Sequence, residues 1–303
     1  MRYTLLLLLT LPLQLWTQSQ SLRLFYLGGQ SNMDGYGKVE QLPDSLNKVF
    51  DDVYIFHGNS TADEEENGGI GKWEQLRPGH GGGFYFDGKE NYPSGNFGIE
   101  MSFAAHLKAL YPNERIAIIK YARGGSSIDS LAKGEYGCWE PDYVGTNGIN
   151  QYDHFLSTLN YAMSVHDIDG DGQSDELLPS GILWMQGESD SAFSIAIANR
   201  YEQHLKRLMD LIRASFRNPD LPVVIGKISD SGQLPHGKVW RYAELVQHAQ
   251  EQFVEKDKNA AIVRDTNFYS YSDPYHYDGP SYLLLGIAFA EALDGLLDFD
   301  ASR

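Results

Sequence analysis

Apolar residues fall along the chain in two rhythms. Continuous runs at residues 22–27, 116–121, 182–185, 223–228 and 261–263 read as strands buried on both faces. Between them, residues 100–110, 155–165, 198–216, 241–256 and 281–297 carry apolar positions at helical spacing. Strands alternating with helices predict an α/β fold, a three-layer α/β/α sandwich around a central parallel sheet. Right-handed crossovers then gather the strand C-terminal ends on one edge, where such sheets bind ligands.

Two stretches break the rhythm. Residues 58–96 are rich in Gly, Asn, Asp and aromatics, with Gly79, His80, Gly81, Gly82 and Gly83 at their centre, and residues 131–153 are similar. Both read as long loops over the strand ends. Their aromatic residues, Tyr136, Trp139, Tyr143 and Tyr152 among them, either stack on sugar rings or pack the loops onto the core.

Residues 1–19 read as a secretory signal peptide: Arg2 supplies the positive start, a leucine-rich run follows, and polar Thr17 to Gln20 close it. Residues 20–303 then form one catalytic domain, since no Pro/Ser-rich linker or internal repeat divides them. The expected location is secreted or periplasmic. A single cysteine, Cys138, makes no intramolecular disulfide and lies too far downstream for a lipid anchor. The net charge of −17 repels phosphate backbones and anionic lipids, so nucleic acid is excluded as a partner, as is a membrane once the signal is removed.

Four blocks carry chemistry, three directly after strands. Gly28-Gly29-Gln30-Ser31-Asn32-Met33 puts a serine on a tight turn, as nucleophile or as cap of the next helix. Its own N–H can face a developing oxyanion. Arg123-Gly124-Gly125-Ser126 offers unobstructed backbone N–H groups as further oxyanion donors. In Gln186-Gly187-Glu188-Ser189-Asp190, Gln186 brings a neutral amide donor, and Glu188 and Asp190 can orient Arg123 or the loops, or serve as first-turn helix acids. Asp273-Pro274-Tyr275-His276 lets a carboxylate reach Nδ1 of the imidazole while Nε2 faces the serine. Asp278 competes with Asp273 for that place.

In their order and near-complete span of the chain, these blocks resemble the SGNH-hydrolase superfamily, in its sialate O-acetylesterase and acetylxylan-esterase branch (carbohydrate esterase family six). Gly98-Ile99-Glu100 resembles that branch's Gly-Pro-Glu helix start, with Ile99 in place of proline. The resemblance implies a flavodoxin-like SGNH fold and a serine esterase acting on acetylated xylan, sialic acid or related glycans. Ser31 would attack, His276 would act as base, and Asp273 would fix its tautomer. The Ser31 N–H, Gly124 or Gly125, and Gln186 would hold the oxyanion, with Gln30, Asn32, Arg123 and Glu188 in support. In the wider superfamily an Asn usually stands where Gln186 is placed. No cofactor is expected for catalysis.

Asp167, Asp169, Asp171 and Asp175 occupy positions one, three, five and nine of an EF-hand-like loop, with Gly172 at the turn and Gln173 at seven. Leu178 replaces the closing bidentate Glu. The set predicts a structural Ca²⁺ site away from the serine. Two competing readings accommodate the same blocks. One is an SGNH lipase or thioesterase acting on non-sugar acyl esters; the other is a dead, calcium-stabilised carbohydrate-binding protein.

Overall fold

The computed structural model describes residues 20–297, so the leader read at residues 1–19 lies outside the described residues. Seven strands form one sheet: β1 (Gln20–Gly29), β2 (Val53–His57), β3 (Trp73–Gln75), β4 (Arg115–Ala122), β5 (Asp175–Met185), β6 (Val223–Gly226) and β7 (Ala260–Val263). Their spatial order is β7-β6-β5-β1-β4-β2-β3. Every neighbouring pair is parallel except β2 with β3. The helices are α1 (Ser31–Asp34), α2 (Glu100–Leu110), α3 (Gln151–Met163), α4 (Glu188–Phe193), α5 (Ile195–Ser215), α6 (Ala243–Lys256) and α7 (Gly279–Asp294).

Alternation along β1 builds the three layers. Phe25 meets Phe103 of α2 with ring centroids 5.4 Å apart, while Tyr26 meets Phe155 of α3 at 4.7 Å. Successive side chains on a strand face opposite ways, so these contacts lie on opposite faces of the sheet. Helix α2 packs against α7, and α5 against α6. Among the described residues no helix is long and apolar enough to cross a membrane.

The fold differs from the apolar pattern in particular places. Strand β2 joins the predicted strands, and β3 turns back beside it, so the sheet is mixed rather than purely parallel. Strand β3 and a short hairpin (Tyr85–Phe86 with Asn91–Tyr92) lie inside residues 58–96, which therefore carry structure of their own. Helix α3 starts ahead of its apolar stripe because Asn150 caps it: its side chain accepts from the Tyr152 and Asp153 N–H groups, and Asp153 returns the bond.

Register brings the chemistry together. Gly29, the last residue of β1, faces Ala122 of β4 and Met185 of β5. The ladder runs one step further, with the Gln30 N–H on the Met185 carbonyl at 2.9 Å and the Arg123 N–H on the Gly29 carbonyl at 3.1 Å. Three motif-bearing loops thus leave the sheet at one level. Only glycine fits at 29: its φ is +145°, and an added Cβ would lie 2.0 Å from the Met185 carbonyl oxygen.

Beneath this edge Lys120 is fully buried. Its Nζ donates to Glu100 Oε2 at 2.8 Å and to the Asp34 and His80 carbonyls at 2.7 Å each, satisfying all three donors. The ammonium ties β4 to α1, α2 and the Gly-rich segment. Replacing Lys120 with Met strands the buried Glu100 carboxylate and should cost about 3–5 kcal/mol of folding stability in denaturant unfolding. A loss below about 1 kcal/mol would contradict this role.

Candidate active site

The serine turn is held from both sides. Gln30 Oε1 accepts from the Gly187 and Ser189 N–H groups, each at 3.3 Å, and from Gln186 Nε2 at 3.2 Å. Asn32 Nδ2 donates to Glu188 Oε1 at 2.8 Å and to the Tyr275 carbonyl at 3.2 Å. Its Oδ1 accepts from the Tyr277 N–H at 3.3 Å and the Tyr282 hydroxyl at 2.9 Å. Ser31, at the first position of α1, is left facing a cavity of about 670 Å³ that Arg123, Gly124, Gly125 and His276 also line.

His276 reaches that cavity from the turn between β7 and α7. Its Nδ1 lies 2.8 Å from Asp273 Oδ2, and Asp273 Oδ1 accepts from the Tyr275 N–H at 2.7 Å and the His276 N–H at 2.9 Å. Partial burial pushes the Asp273 carboxyl up, but the imidazole and backbone hydrogen bonds outweigh it and hold the group below its ordinary value. A carboxylate on Nδ1 assigns that nitrogen the proton and leaves the Nε2 lone pair available. Asp278 instead caps α7, accepting from the Ser281 N–H at 2.9 Å. Tyr36 stacks on the His276 ring at 4.0 Å and 15°, fixing its plane. Among the described residues neither Ser31 Oγ nor His276 Nε2 has a hydrogen-bond partner, so both open on the shared cavity. Such bonds often tighten only when substrate arrives.

Gly124 abuts the serine: an added Cβ would stand 3.5 Å from Ser31 Cβ. The backbone N–H groups of Ser31, Gly124 and Gly125 donate to no protein acceptor among the described residues. Gln186 is a correction. Its side chain is fully buried, with Nε2 on Gln30 Oε1, the Ser126 carbonyl and Asp190 Oδ2 (2.7 Å) and Oε1 accepting from Tyr201. Its two N–H groups already serve three acceptors beneath the floor of the site, so an oxyanion gains nothing from it. Glu188 and Asp190 do not touch Arg123 either. Glu188 holds Asn32, and Asp190 accepts from the Ile128 and Asp129 N–H groups at 2.9 Å each. Arg123 lines the cavity with Nε 3.4 Å from the Tyr136 carbonyl and has no ion pair among the described residues.

The acidic loop assembles in part. Asp167, Asp169 and Asp175 bring carboxylate oxygens within 4.8 Å of one another, while Asp171 stands outside the group. Asp171 accepts from the Gln173 N–H at 2.7 Å, tightening the turn. Arg115 pairs with Asp169 and Asp175, supplying cationic charge from the protein itself. Leu178 lies in β5 rather than on an exiting helix, so the EF-hand likeness ends there.

The aromatic residues divide. Trp139 is fully buried against Trp184 and Tyr121, which makes it core, whereas Tyr136 lines the cavity. Phe193, Trp240 and Tyr275 line the cavity with aromatic rings, the last two 5.6 Å apart, and His57, Ser60 and Asp34 add polar groups to the lining. Burial, with Lys120 and His80 adding, holds the His57 imidazole well below its ordinary value. Of these residues the motif blocks contain only Tyr275, and closeness to Ser31 could have flagged Asp34 and Tyr36.

A mostly parallel sheet between helical layers carries serine, histidine and unengaged N–H donors at its carboxyl edge, an arrangement suited to carboxylic ester hydrolysis. The chain belongs to the family described as carbohydrate esterase, sialic acid-specific acetylesterase, whose model matches residues 21–294. It is a carbohydrate acetylesterase. The fold is similar to a protein from Arabidopsis thaliana, with TM-score 0.60 and 20% identity over 90% of this chain and 98% of that one. It is also similar to a carbohydrate acetylesterase from Xanthomonas citri, with TM-score 0.59 and 16% identity over 90% of this chain and 56% of that one. NanS gives TM-score 0.56 and 16% identity over 92% of this chain and 98% of that one. No curated protein matches the sequence.

Burial pushes Glu188 up to about 7, the Asn32 hydrogen bond opposing, and its Oε2 has no partner among the described residues. A raised carboxyl favours folding while protonated, and that contribution is lost as pH climbs from the unfolded value of 4.5 through about 7. Glu188→Gln keeps the Asn32 bond without the ionisation penalty. Melting curves should show the variant gaining on the parent across that window, by a few kcal/mol at most, and levelling above it. A difference independent of pH would overturn the assignment.

Proposed function

We propose that the protein removes O-acetyl groups from carbohydrate, such as acetylated sialic acid or xylan, through an acyl-serine intermediate on Ser31. The supporting observation is the meeting of three unengaged elements in one cavity: the Ser31 hydroxyl, the His276 Nε2, and the N–H groups of Ser31, Gly124 and Gly125. In this reading Ser31 Oγ attacks the acetyl carbonyl carbon and its proton passes to Nε2. The backbone N–H groups carry the negative oxygen, and the imidazolium returns the proton to the departing sugar oxygen. Water, deprotonated by His276, then attacks acetyl-Ser31 and releases acetate, restoring the hydroxyl. Asp273 keeps the imidazole tautomer through both halves.

The cavity far exceeds an acetyl group, and it sets polar His57, Ser60 and Arg123 beside aromatic Phe193, Trp240 and Tyr275. Such a lining suits a sugar, whose hydroxyls need hydrogen bonds and whose C–H faces stack on rings. A long-chain acyl ester would want an apolar groove. The leader read at residues 1–19 makes export part of the proposal, with acetylated glycan outside the cytoplasm as substrate.

Ser31→Ala should abolish acetate release, and Asp273→Asn should lower kcat on the order of 10³–10⁴-fold by losing the tautomer. Retained turnover in Ser31→Ala would end the acyl-serine reading. A rate that climbs with acyl chain length would replace the acetylesterase with a lipase.

For the acidic loop we propose a structural Ca²⁺ held by Asp167, Asp169 and Asp175, whose hard oxygens suit the ion. Added calcium should raise the melting temperature by a few degrees and leave turnover of a soluble ester unchanged. Identical melting with calcium and with chelator would remove the ion from the account.

A further inference from the structure

Asp34 is the last residue of α1, three positions past Ser31, and lines the same cavity. Side chains at that spacing on a helical turn share a face, with Cβ atoms about 5–6 Å apart. The residue is only 7% exposed, yet its carboxyl makes no hydrogen bond among the described residues. Its backbone carbonyl, not its side chain, accepts from Lys120. The other buried acids around the site are engaged: Glu188 by Asn32, Asp190 by Gln186 and two backbone N–H groups, and Glu100 by Lys120. A buried carboxyl without a donor is costly, and folded chains rarely leave one so. Here its open side is the cavity, so the missing donors are ones the substrate would bring.

We propose that Asp34 is a specificity-determining residue that accepts hydrogen bonds from free hydroxyls of the sugar bearing the acetyl ester. This rests on the carbohydrate-esterase reading and gives it a chemical criterion: the preferred substrate keeps free hydroxyls close to the ester. Esters of simple phenols or alkanols offer none. The serine and histidine treat every acetyl ester alike; Asp34 separates polyol esters from the rest.

The groups facing Asp34 come from each element packed around it: Lys120 and Tyr121 from β4, Arg123 just beyond it, Glu100 from α2, Tyr282 from α7, and Tyr36. Burial lifts its carboxyl to about 7, with Lys120 and Arg123 pulling down and Glu100 pushing up. Its charge therefore changes near neutrality. The ionised form makes the stronger hydrogen bond to a hydroxyl, so sugar recognition strengthens as pH rises through that range.

The test compares kcat/KM for a mono-O-acetylated pyranose with that for para-nitrophenyl acetate, using the full-length mature protein. Both substrates share Ser31 and His276, so the pH dependence of the shared catalytic steps cancels in the ratio. The sugar-to-aryl ratio should rise through about pH 7 and then level. In Asp34→Asn the ratio should fall about tenfold or more and lose its pH dependence, since a hydrogen bond to a charged group becomes a neutral one. A ratio flat or falling with pH in the parent overturns the proposal, as does an unchanged ratio in the variant. The parent's profile decides alone if the variant does not fold. Hydrolysis of the aryl ester with none of the sugar ester would overturn the carbohydrate reading itself, whereas sugar hydrolysis with an indifferent ratio removes only Asp34.

Discussion

One buried carboxamide joins the ends of this chain. Asn32 uses both N–H groups and both lone pairs, on Glu188, Tyr275, Tyr277 and Tyr282. The Tyr275 carbonyl it holds is 243 residues away and belongs to the residue beside His276. The serine turn and the histidine turn are thus parts of one satisfied network. A network of this kind is rigid only while every member is engaged. Gln30, on the other side of Ser31, adds its Oε1, which takes the Gly187 and Ser189 N–H groups at the start of α4. Ser31 between them is left the one outward choice.

The sheet makes that clamp reachable. Strand β1 lies between β4 and β5, and all three end in register at Gly29, Ala122 and Met185. One residue of slip would turn every side chain of a strand to the other face and carry its loop away from the others. Gly29 permits the close approach that keeps the register to its last rung. Below it, Lys120 pairs with Glu100 and supplies the donors that the Asp34 and His80 carbonyls would otherwise lack. Around this frame the buried acids Asp34, Glu188 and Asp190 all have their carboxyls raised by burial. The environment that discourages their charge also strengthens the hydrogen bonds available to a developing oxyanion.

The apolar runs carried the layered fold because buried parallel strands are apolar on both faces and leave a plain signal. They were mute where the fold depends on polar contacts: the capped start of α3, the edge strand β3, and the exposed first half of β5. The site divides likewise. Asp273 and His276 are neighbours in sequence, so their bond is local and readable from spacing. Gln186 is different: a glutamine beside a serine motif looks like a donor, and only packing reveals that Tyr201, Ser126 and Asp190 already occupy its amide. Tyr36 shows the converse. Its stacking on His276 depends on how two distant turns meet, which no local pattern records.

Helix α4 links recognition to chemistry. Its beginning holds the serine turn, through Gln30 on the Gly187 and Ser189 N–H groups and Asn32 on Glu188. Its end presents half-exposed Phe193 to the cavity, and Ser191 accepts from the Tyr242 N–H. Six residues therefore connect the cavity lining to the amides that hold the serine turn. A short helix capped in this way transmits displacement poorly, because its polar ends cannot move without breaking buried hydrogen bonds. Substrate choice is then free to vary in the loops, at Ser60, Tyr136 and Trp240, while the serine turn stays where the sheet and Asn32 set it. That separation leaves the serine turn independent of the loop residues around the cavity, and it explains why Ser60, Tyr136 and Trp240 fall outside the sequence blocks.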